Sequence, residues 1–128
     1  AGAMLLGLII VNGLIKNLVN RPRPCDLNDV IELLIPRPNE SSFPSGHTTS
    51  SFAAAASIFY FYKKWSIAAY FTACMIAVSR MYLYVHYPTD VLAGALLGTL
   101  FAVIAVTIYK KVKWDSLAES LKHKFNRK

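Results

Sequence analysis

Apolar residues in this chain fall into four long runs separated by polar segments. The runs cover residues 3–19, 45–62, 66–85 and 91–109. Each run is close to the ~20 residues that a helix needs to cross the hydrocarbon core of a bilayer. The pattern therefore predicts an all-α fold, an integral membrane helical bundle with four transmembrane helices.

Composition and charge support a membrane location. The 128 residues are 55% hydrophobic with a mean hydropathy of +0.39, which is too apolar for an ordinary soluble domain. Much of the formal charge of +7 comes from lysines near predicted helix ends, namely Lys63, Lys64, Lys110, Lys111, Lys113 and the tail at residues 122–128. Such clusters typically meet anionic lipid headgroups, so we expect the lipid bilayer as a partner and no nucleic acid.

The chain is expected to form a single domain over residues 1–128. Ala1 already lies inside an apolar segment without an initiator Met or a basic flank, so we expect a domain truncated at its N-terminus. Residues 112–128 predict a basic amphipathic cytoplasmic tail, since apolar residues recur there at spacings of three and four: Trp114, Leu117, Leu121 and Phe125. A solvated helical end explains the same pattern equally well.

Three polar clusters, at residues 16–24, 44–47 and 79–90, lie at the ends of the apolar runs. Alternating crossings place all three on one membrane face, beneath a loop of residues 21–43 that could serve as a lid. Arg80 is expected ~9 Å deeper than His86 if their helix persists. Lysines crowd the opposite face, so the positive-inside rule makes the polar face extracytoplasmic, although Arg21 and Arg37 count against this orientation.

The side chains of these clusters suit phosphate chemistry. Ionisable groups at membrane depth mark a functional site by default, and this set combines cations and imidazoles with a single carboxylate: Lys16, Arg23, Arg80, His47, His86 and Asp90. Ser45 is predicted to cap the second helix, so that the backbone N–H groups of the turn beginning at Gly46 form a cradle for an anion.

The same residues carry a resemblance to a known family. Three motifs occur in order: Lys16, six residues, Arg23-Pro24; Pro44-Ser45-Gly46-His47; and Ser79-Arg80, five residues, His86, three residues, Asp90. Together they resemble the three-part signature of the type 2 phosphatidic acid phosphatase (PAP2) superfamily. Membrane members of that family typically have six spanning helices. The resemblance implies that two helices precede the four predicted here.

The resemblance also implies a role for each residue of the signature. His86 would be the nucleophile, Asp90 would orient and stabilise its imidazole, and His47 would be the general acid and then the general base. The phosphate oxygens would be held by Lys16, Arg23, Ser45, Gly46 and Arg80. Three cations could neutralise the phosphate, so neither a metal nor another cofactor is expected.

Other interpretations of the same residues remain open at this point. The pair of His86 and Asp90 could be a structural hydrogen bond, or two histidines and one aspartate could bind zinc, although the neighbouring cations would repel a metal ion. Arg21 could share phosphate binding with Arg23, but the family spacing leaves it a supporting or headgroup-binding role. Gly94 and Gly98 favour close packing against another helix of the site.

The sequence thus predicts an integral membrane lipid phosphatase, a metal-independent enzyme that removes a terminal phosphate through a phosphohistidine. Undecaprenyl diphosphate is the first choice of substrate, followed by phosphatidylglycerophosphate and phosphatidate, in a bacterial or archaeal plasma membrane. A non-catalytic lipid-phosphate transporter or binding protein is one alternative. A vanadate-dependent haloperoxidase is another, disfavoured by the apolar runs because those relatives are soluble.

Overall fold

The computed structural model describes residues 9–27 and 32–125, with side chains as far as Asp115 except Asn12. Every regular element within these ranges is helical, and none is a strand. A π-helical segment, Val11–Ile15, leads into the short helix α1 (Lys16–Val19), and a 3-10 turn follows at Pro24–Asp26. The remaining helices are α2 (Gly46–Phe61), α3 (Lys63–Tyr82) and α4 (Pro88–Phe125).

The predicted apolar runs correspond to these helices, with differences at their ends. The first run begins outside the described residues and is helical from Ile9. α3 ends at Tyr82 rather than at residue 85, because Leu83 terminates it and Tyr84 adopts a left-handed conformation with φ of 59°. α4 continues past residue 109 to Phe125, since no Gly or Pro interrupts that stretch. The side chains of Leu117, Leu121 and Phe125 lie outside the described set.

One helix of the described chain is long and apolar enough to cross a membrane by length and composition. It is the part of α4 from Pro88 to Asp115, 28 residues, whose mean hydropathy reaches 2.5 over an 18-residue window. α2 has 16 residues and α3 has 20 residues. The structure therefore supports an all-helical chain with one clear candidate span, rather than four of equal strength.

α2 occupies the centre of the bundle and packs against both α3 and α4. Its contact with α4 is formed by small side chains, with Ala53 and Ala102 fully buried between the two helices. A methyl group on Gly94 would lie 2.7 Å from the carbonyl oxygen of Ser45, and one on Gly98 would overlap the carbonyl oxygen of Thr49. The expected role of these glycines in close helix packing is confirmed.

Candidate active site

Within the first polar cluster, α1 ends at a residue with a left-handed backbone conformation. Asn20 has φ of 41°, and its N–H donates to the carbonyl of Lys16 at 3.0 Å. Asn tolerates this conformation better than most residues, so the helix stops here at little cost. The backbone is then extended at Arg23, and Pro24 begins the 3-10 turn. Both Lys16 and Arg23 are buried.

Arg23 binds main-chain carbonyls from two distant segments. Its Nε donates to the carbonyl of Glu40 at 2.9 Å, and its Nη1 donates to the carbonyl of Val85 at 2.9 Å. Its Nη2 lies 3.4 Å from the carbonyl of Ser41. Nη1 also lies 3.3 Å from Nε2 of His86. One guanidinium therefore joins the first cluster, the loop and the third cluster.

The second cluster forms the beginning of α2. Ser45 occupies the predicted cap position, but its hydroxyl makes no capping bond and instead accepts a hydrogen bond from Oγ1 of Thr48 at 2.9 Å. The N–H of Ser45 donates to the carbonyl of Asp90 at 3.1 Å, which joins the first turns of α2 and α4. Ser45 is completely buried, whereas Gly46 and His47 line a cavity. Ser45 supports this turn from behind.

A tight turn within the third cluster connects the end of α3 to the beginning of α4. The N–H of Tyr84 donates to the carbonyl of Met81 at 2.9 Å, and that of Val85 donates to the carbonyl of Arg80 at 3.3 Å. The left-handed conformation of Tyr84 is uncommon for an aromatic residue. Because this turn intervenes, Arg80 and His86 do not share a helix, and the axial offset expected for a continuous helix does not apply.

His86 and Asp90 lie side by side at the beginning of α4. Both side chains are buried, and Nδ1 of His86 lies 3.6 Å from Oδ2 of Asp90. The same Oδ2 accepts hydrogen bonds from the N–H of Tyr87 at 2.9 Å and from the hydroxyl of Ser42. The expected pair is thus in close contact but beyond hydrogen-bond distance. Catalytic hydrogen bonds in sites without substrate are often long and tighten when substrate binds.

The surroundings of His86 favour its neutral form. Burial, followed by the adjacent Arg23 guanidinium, lowers the pKa of His86 to about 4, while the Asp90 carboxylate acts in the opposite direction. A neutral imidazole keeps a lone pair on one ring nitrogen. At neutral pH, His86 therefore has the protonation state that a nucleophile requires.

These groups surround one cavity of about 680 Å³. Six residues of the predicted site line it: Lys16, Arg23, Gly46, His47, Arg80 and His86. The other two, Ser45 and Asp90, are completely buried. The apolar part of the wall comes from the loop, from α2 and α3, and from the turn after α3, through Ile35, Pro38, Ala54, Ile76 and Val85. The convergence predicted from alternating helices is present, and the loop contributes to the wall.

Sequence reasoning missed two groups that touch the predicted site residues, Glu40 and Ser42, and it named a third, Arg21, without its partner. The carboxylate of Glu40 accepts a hydrogen bond from Nζ of Lys16 at 2.5 Å, and the hydroxyl of Ser42 binds Asp90. Arg21, expected to have a supporting or headgroup-binding role, contacts Asp90 at 2.8 Å. Glu40 and Ser42 carry no spacing signal in the sequence.

Comparison with known proteins places this site in a family context. The profile of the PAP2 superfamily matches residues 1–114. The chain is 33% identical over 101 residues to an undecaprenyl-diphosphatase of Sulfolobus acidocaldarius, a match that covers 78% of the chain and 49% of the relative. The chain thus spans about half the length of this curated relative.

Two solved structures are similar to the fold described above. LpxE of Aquifex aeolicus matches with a TM-score of 0.74 and 34% identity, over 83% of this chain and 64% of that one. A transmembrane PAP2-type phosphatidylglycerolphosphate phosphatase of Bacillus subtilis matches with a TM-score of 0.66 and 28% identity, over 86% of this chain and 57% of that one. The arrangement of α1 to α4 is therefore similar to that of membrane phosphatases.

Proposed function

The chain belongs to the PAP2 superfamily, and from that premise we propose that it is the catalytic part of an integral membrane, metal-independent lipid phosphatase. The reaction would be hydrolysis of the terminal phosphate of a lipid phosphate or diphosphate. The observation that carries this proposal is the single cavity in which His47 and His86 meet Lys16, Arg23 and Arg80, with Asp90 directly behind His86. A pocket for binding alone requires the cations but not a paired acid and nucleophile.

In the proposed first step, Nε2 of neutral His86 attacks phosphorus while the bond from phosphorus to the leaving oxygen breaks. Protonated His47 gives its proton to that oxygen, so the leaving group departs as an alcohol or as a protonated phosphate. Asp90 accepts a hydrogen bond from Nδ1–H of His86 and stabilises the positive charge that develops on the ring. The product of this step is a phosphohistidine.

In the second step, water attacks the phosphohistidine. Neutral His47 takes a proton from the water as its oxygen bonds to phosphorus, and the bond between nitrogen and phosphorus breaks. Inorganic phosphate leaves, and both histidines return to their original protonation states. Throughout, Lys16, Arg23 and Arg80 would hold the non-bridging oxygens together with the backbone N–H of Gly46, supported by Ser45. No step needs a metal ion.

The membrane arrangement follows from the same assignment. We take the predicted runs as four spanning helices in one domain over residues 1–128, with the site extracytoplasmic and residues 112–128 as a basic cytoplasmic tail. The long apolar stretch of α4 supports the first part of this arrangement. The lysines at its far end, Lys110, Lys111 and Lys113, support the orientation because basic residues favour the cytoplasmic side.

Undecaprenyl diphosphate is our first choice of substrate, since a relative that matches 78% of the chain is an undecaprenyl-diphosphatase. Phosphatidylglycerophosphate follows, because a structural neighbour is a phosphatidylglycerolphosphate phosphatase, and phosphatidate is third. The cavity contributes apolar side chains beside its cations, which suits a phosphate attached to a lipid rather than to a polar metabolite.

The decisive experiment is phosphate release by the full-length protein in liposomes with excess EDTA, with each of these three lipids as substrate. We expect release from at least one lipid, unaffected by EDTA and lost in the variant His86→Ala. Acid-labile and alkali-stable 32P on the wild-type protein, absent from the variant, identifies the phosphohistidine. Release that EDTA abolishes contradicts the metal-free mechanism, and binding of these lipids without release favours a transporter or binding protein.

A further inference from the structure

Arg21 binds the carboxylate of Asp90 although 69 positions of sequence separate them. Nη1 of Arg21 donates to Oδ1 of Asp90 at 2.8 Å. The other carboxylate oxygen, Oδ2, accepts hydrogen bonds from the N–H of Tyr87 and the hydroxyl of Ser42, and it lies 3.6 Å from Nδ1 of His86. The two carboxylate oxygens thus have different neighbours: Oδ1 binds Arg21, and Oδ2 faces the imidazole of His86.

The guanidinium of Arg21 is itself held in place by α4 and by the residue just before it. The same Nη1 donates to Oγ1 of Thr89 at 2.8 Å, and the guanidinium carbon lies 4.1 Å from the centre of the Tyr87 ring. A cation over an aromatic face is stabilised by the ring quadrupole. The side chain therefore has three anchors, through Thr89, Tyr87 and Asp90, within four successive residues of the third cluster.

The backbone of Arg21 is fixed as well. Its N–H donates to the hydroxyl of Ser41 at 2.9 Å, and its carbonyl accepts from the N–H of Ser42 at 2.9 Å. Ser42 is the residue whose hydroxyl binds Asp90. The loop thus delivers Arg21 and Ser42 to the same carboxylate as a paired unit.

Arg21 differs from Arg23 in its relation to the cavity. Arg23 lines the cavity and lies beside Nε2 of His86, whereas Arg21 is not one of the lining residues. The Asp90 side chain is completely buried. A buried carboxylate is costly unless it is paired and hydrogen-bonded. Arg21 supplies an opposite charge and a hydrogen bond to this buried carboxylate.

We propose that Arg21 is a positioning residue that fixes Asp90, and through it the imidazole of His86, and that it is not a ligand of the substrate phosphate. The proposal rests on the proposed function, since it assigns a role within that reaction. Through this contact, the carboxylate keeps the orientation in which Oδ2 accepts from Nδ1–H of His86 while Nε2 attacks. Loss of Arg21 would leave the phosphate cations in place and misalign the nucleophile.

The test compares Arg21→Gln and Arg21→Lys with the wild-type full-length protein in the liposome assay described above. We expect Arg21→Gln to lower kcat by about 10- to 100-fold, the loss that is typical when the hydrogen-bond partner orienting a metal-binding histidine is removed, with KM unchanged within about twofold. Arg21→Lys keeps the charge but loses the planar fork, so it should restore part of kcat. Lys64→Gln, which removes an exposed cation at the start of α3, is the control.

Two inorganic anions provide a readout that does not depend on turnover. Orthovanadate resembles phosphate but can accept a fifth ligand from an imidazole nitrogen, whereas inorganic phosphate at equilibrium binds mainly through the cations. In calorimetric titrations, Arg21→Gln should bind vanadate about tenfold or more weakly than the wild-type protein does. Its affinity for phosphate should fall by less than about twofold. Thermal melting of each variant in detergent verifies that it is folded. If Arg21→Gln does not fold, Arg21→Lys is compared with the wild-type protein in both titrations.

The outcomes separate this inference from the proposed function. If Arg21→Gln raises KM and weakens phosphate as much as vanadate, then Arg21 is a phosphate ligand and the inference is wrong. It is also wrong if Arg21→Gln and Arg21→Lys both behave like wild type in every measurement. A folded wild-type protein that releases no phosphate from any lipid defeats the proposed function, and the vanadate titration then decides the role of Arg21 alone.

Discussion

Nη1 of Arg23 lies 3.3 Å from Nε2 of His86, the nitrogen assigned to attack phosphorus. The same Nη1 donates to the carbonyl of Val85, and Nε donates to the carbonyl of Glu40. A guanidinium fixed in this way disfavours a proton on the imidazole by charge repulsion. Arg23 would thus hold the nucleophile neutral as well as bind the phosphate it attacks.

The first prediction concerns the pH dependence of activity. Because the pKa of His86 is lowered to about 4 by burial and by Arg23, the acid limb of kcat/KM should lie well below pH 6.5. Arg23→Gln removes one of the causes that lower the pKa of His86, so its acid limb should move upward towards 6.5, in addition to any rise in KM. The pH profiles of the two proteins are measured with the same lipid, so that titration of the substrate affects both profiles equally. An unchanged limb in the variant contradicts this role of Arg23.

The stability of the folded protein should also depend on pH through His86. The folded-state pKa of His86 lies below its unfolded value of 6.5, so between these values the unfolded chain binds more protons than the folded one. The contribution of neutral His86 to the free energy of unfolding is complete above about pH 6.5 and is lost as the pH falls towards about 4. We expect Tm in detergent to fall over this window, and to fall less in His86→Gln. Equal slopes for both proteins would show that other groups dominate.

Glu40 should compete with phosphate for Lys16. Its carboxylate accepts a hydrogen bond from Nζ of Lys16, and this contact, followed by the charge of Lys16, lowers the pKa of Glu40. The carboxylate is therefore ionised at neutral pH and must give way when an anion binds there. Glu40→Gln should lower the inhibition constant for inorganic phosphate by roughly 3- to 10-fold, which corresponds to about 1 kcal/mol.

The control for this measurement is Glu32→Gln, which removes another exposed acidic residue of the same loop. Both variants lose one negative charge, so a general change in electrostatic attraction would affect them alike. Stronger phosphate inhibition in Glu40→Gln alone supports local competition. The same increase in both variants would assign the effect to overall charge.

His47 should matter more for poor leaving groups than for good ones. As the proposed general acid, it would protonate the oxygen that leaves in the first step. An alkoxide leaving from phosphatidate needs this proton far more than a phosphate leaving from undecaprenyl diphosphate. His47→Asn should therefore reduce phosphate release from phosphatidate by a larger factor than release from undecaprenyl diphosphate. Equal losses for both lipids would instead indicate that His47 mainly binds substrate.

Gly98 should be intolerant of even one methyl group. A Cβ there would overlap the carbonyl oxygen of Thr49 on α2, so Gly98→Ala must separate α2 from α4. Overpacking of this kind costs about 1–3 kcal/mol. Gly13 provides a matched control, because a Cβ on it would meet no atom of the described residues within 4 Å. Thermal melting should show a lower Tm for Gly98→Ala and no loss for Gly13→Ala.

The helices and the meeting of the clusters could be predicted from the sequence, because both depend on apolar run lengths and on alternation. The end of α3 could not, since it depends on the left-handed conformation of Tyr84, which no breaker residue announces. The loop residues that bind Asp90 and Lys16 could not be predicted from the sequence pattern either. Ser42 and Glu40 come from an irregular loop, and a loop has no period from which the direction of a side chain can be inferred.

The bonds of Arg23 to the carbonyls of Glu40, Ser41 and Val85 have an evolutionary consequence. Every amino acid supplies the same main-chain oxygen, so positions 40, 41 and 85 are free to drift as far as Arg23 is concerned. The arginine itself has no such freedom. An architecture of this kind allows a few fixed residues, scattered over a long and otherwise variable chain, to specify the same cavity in distant relatives.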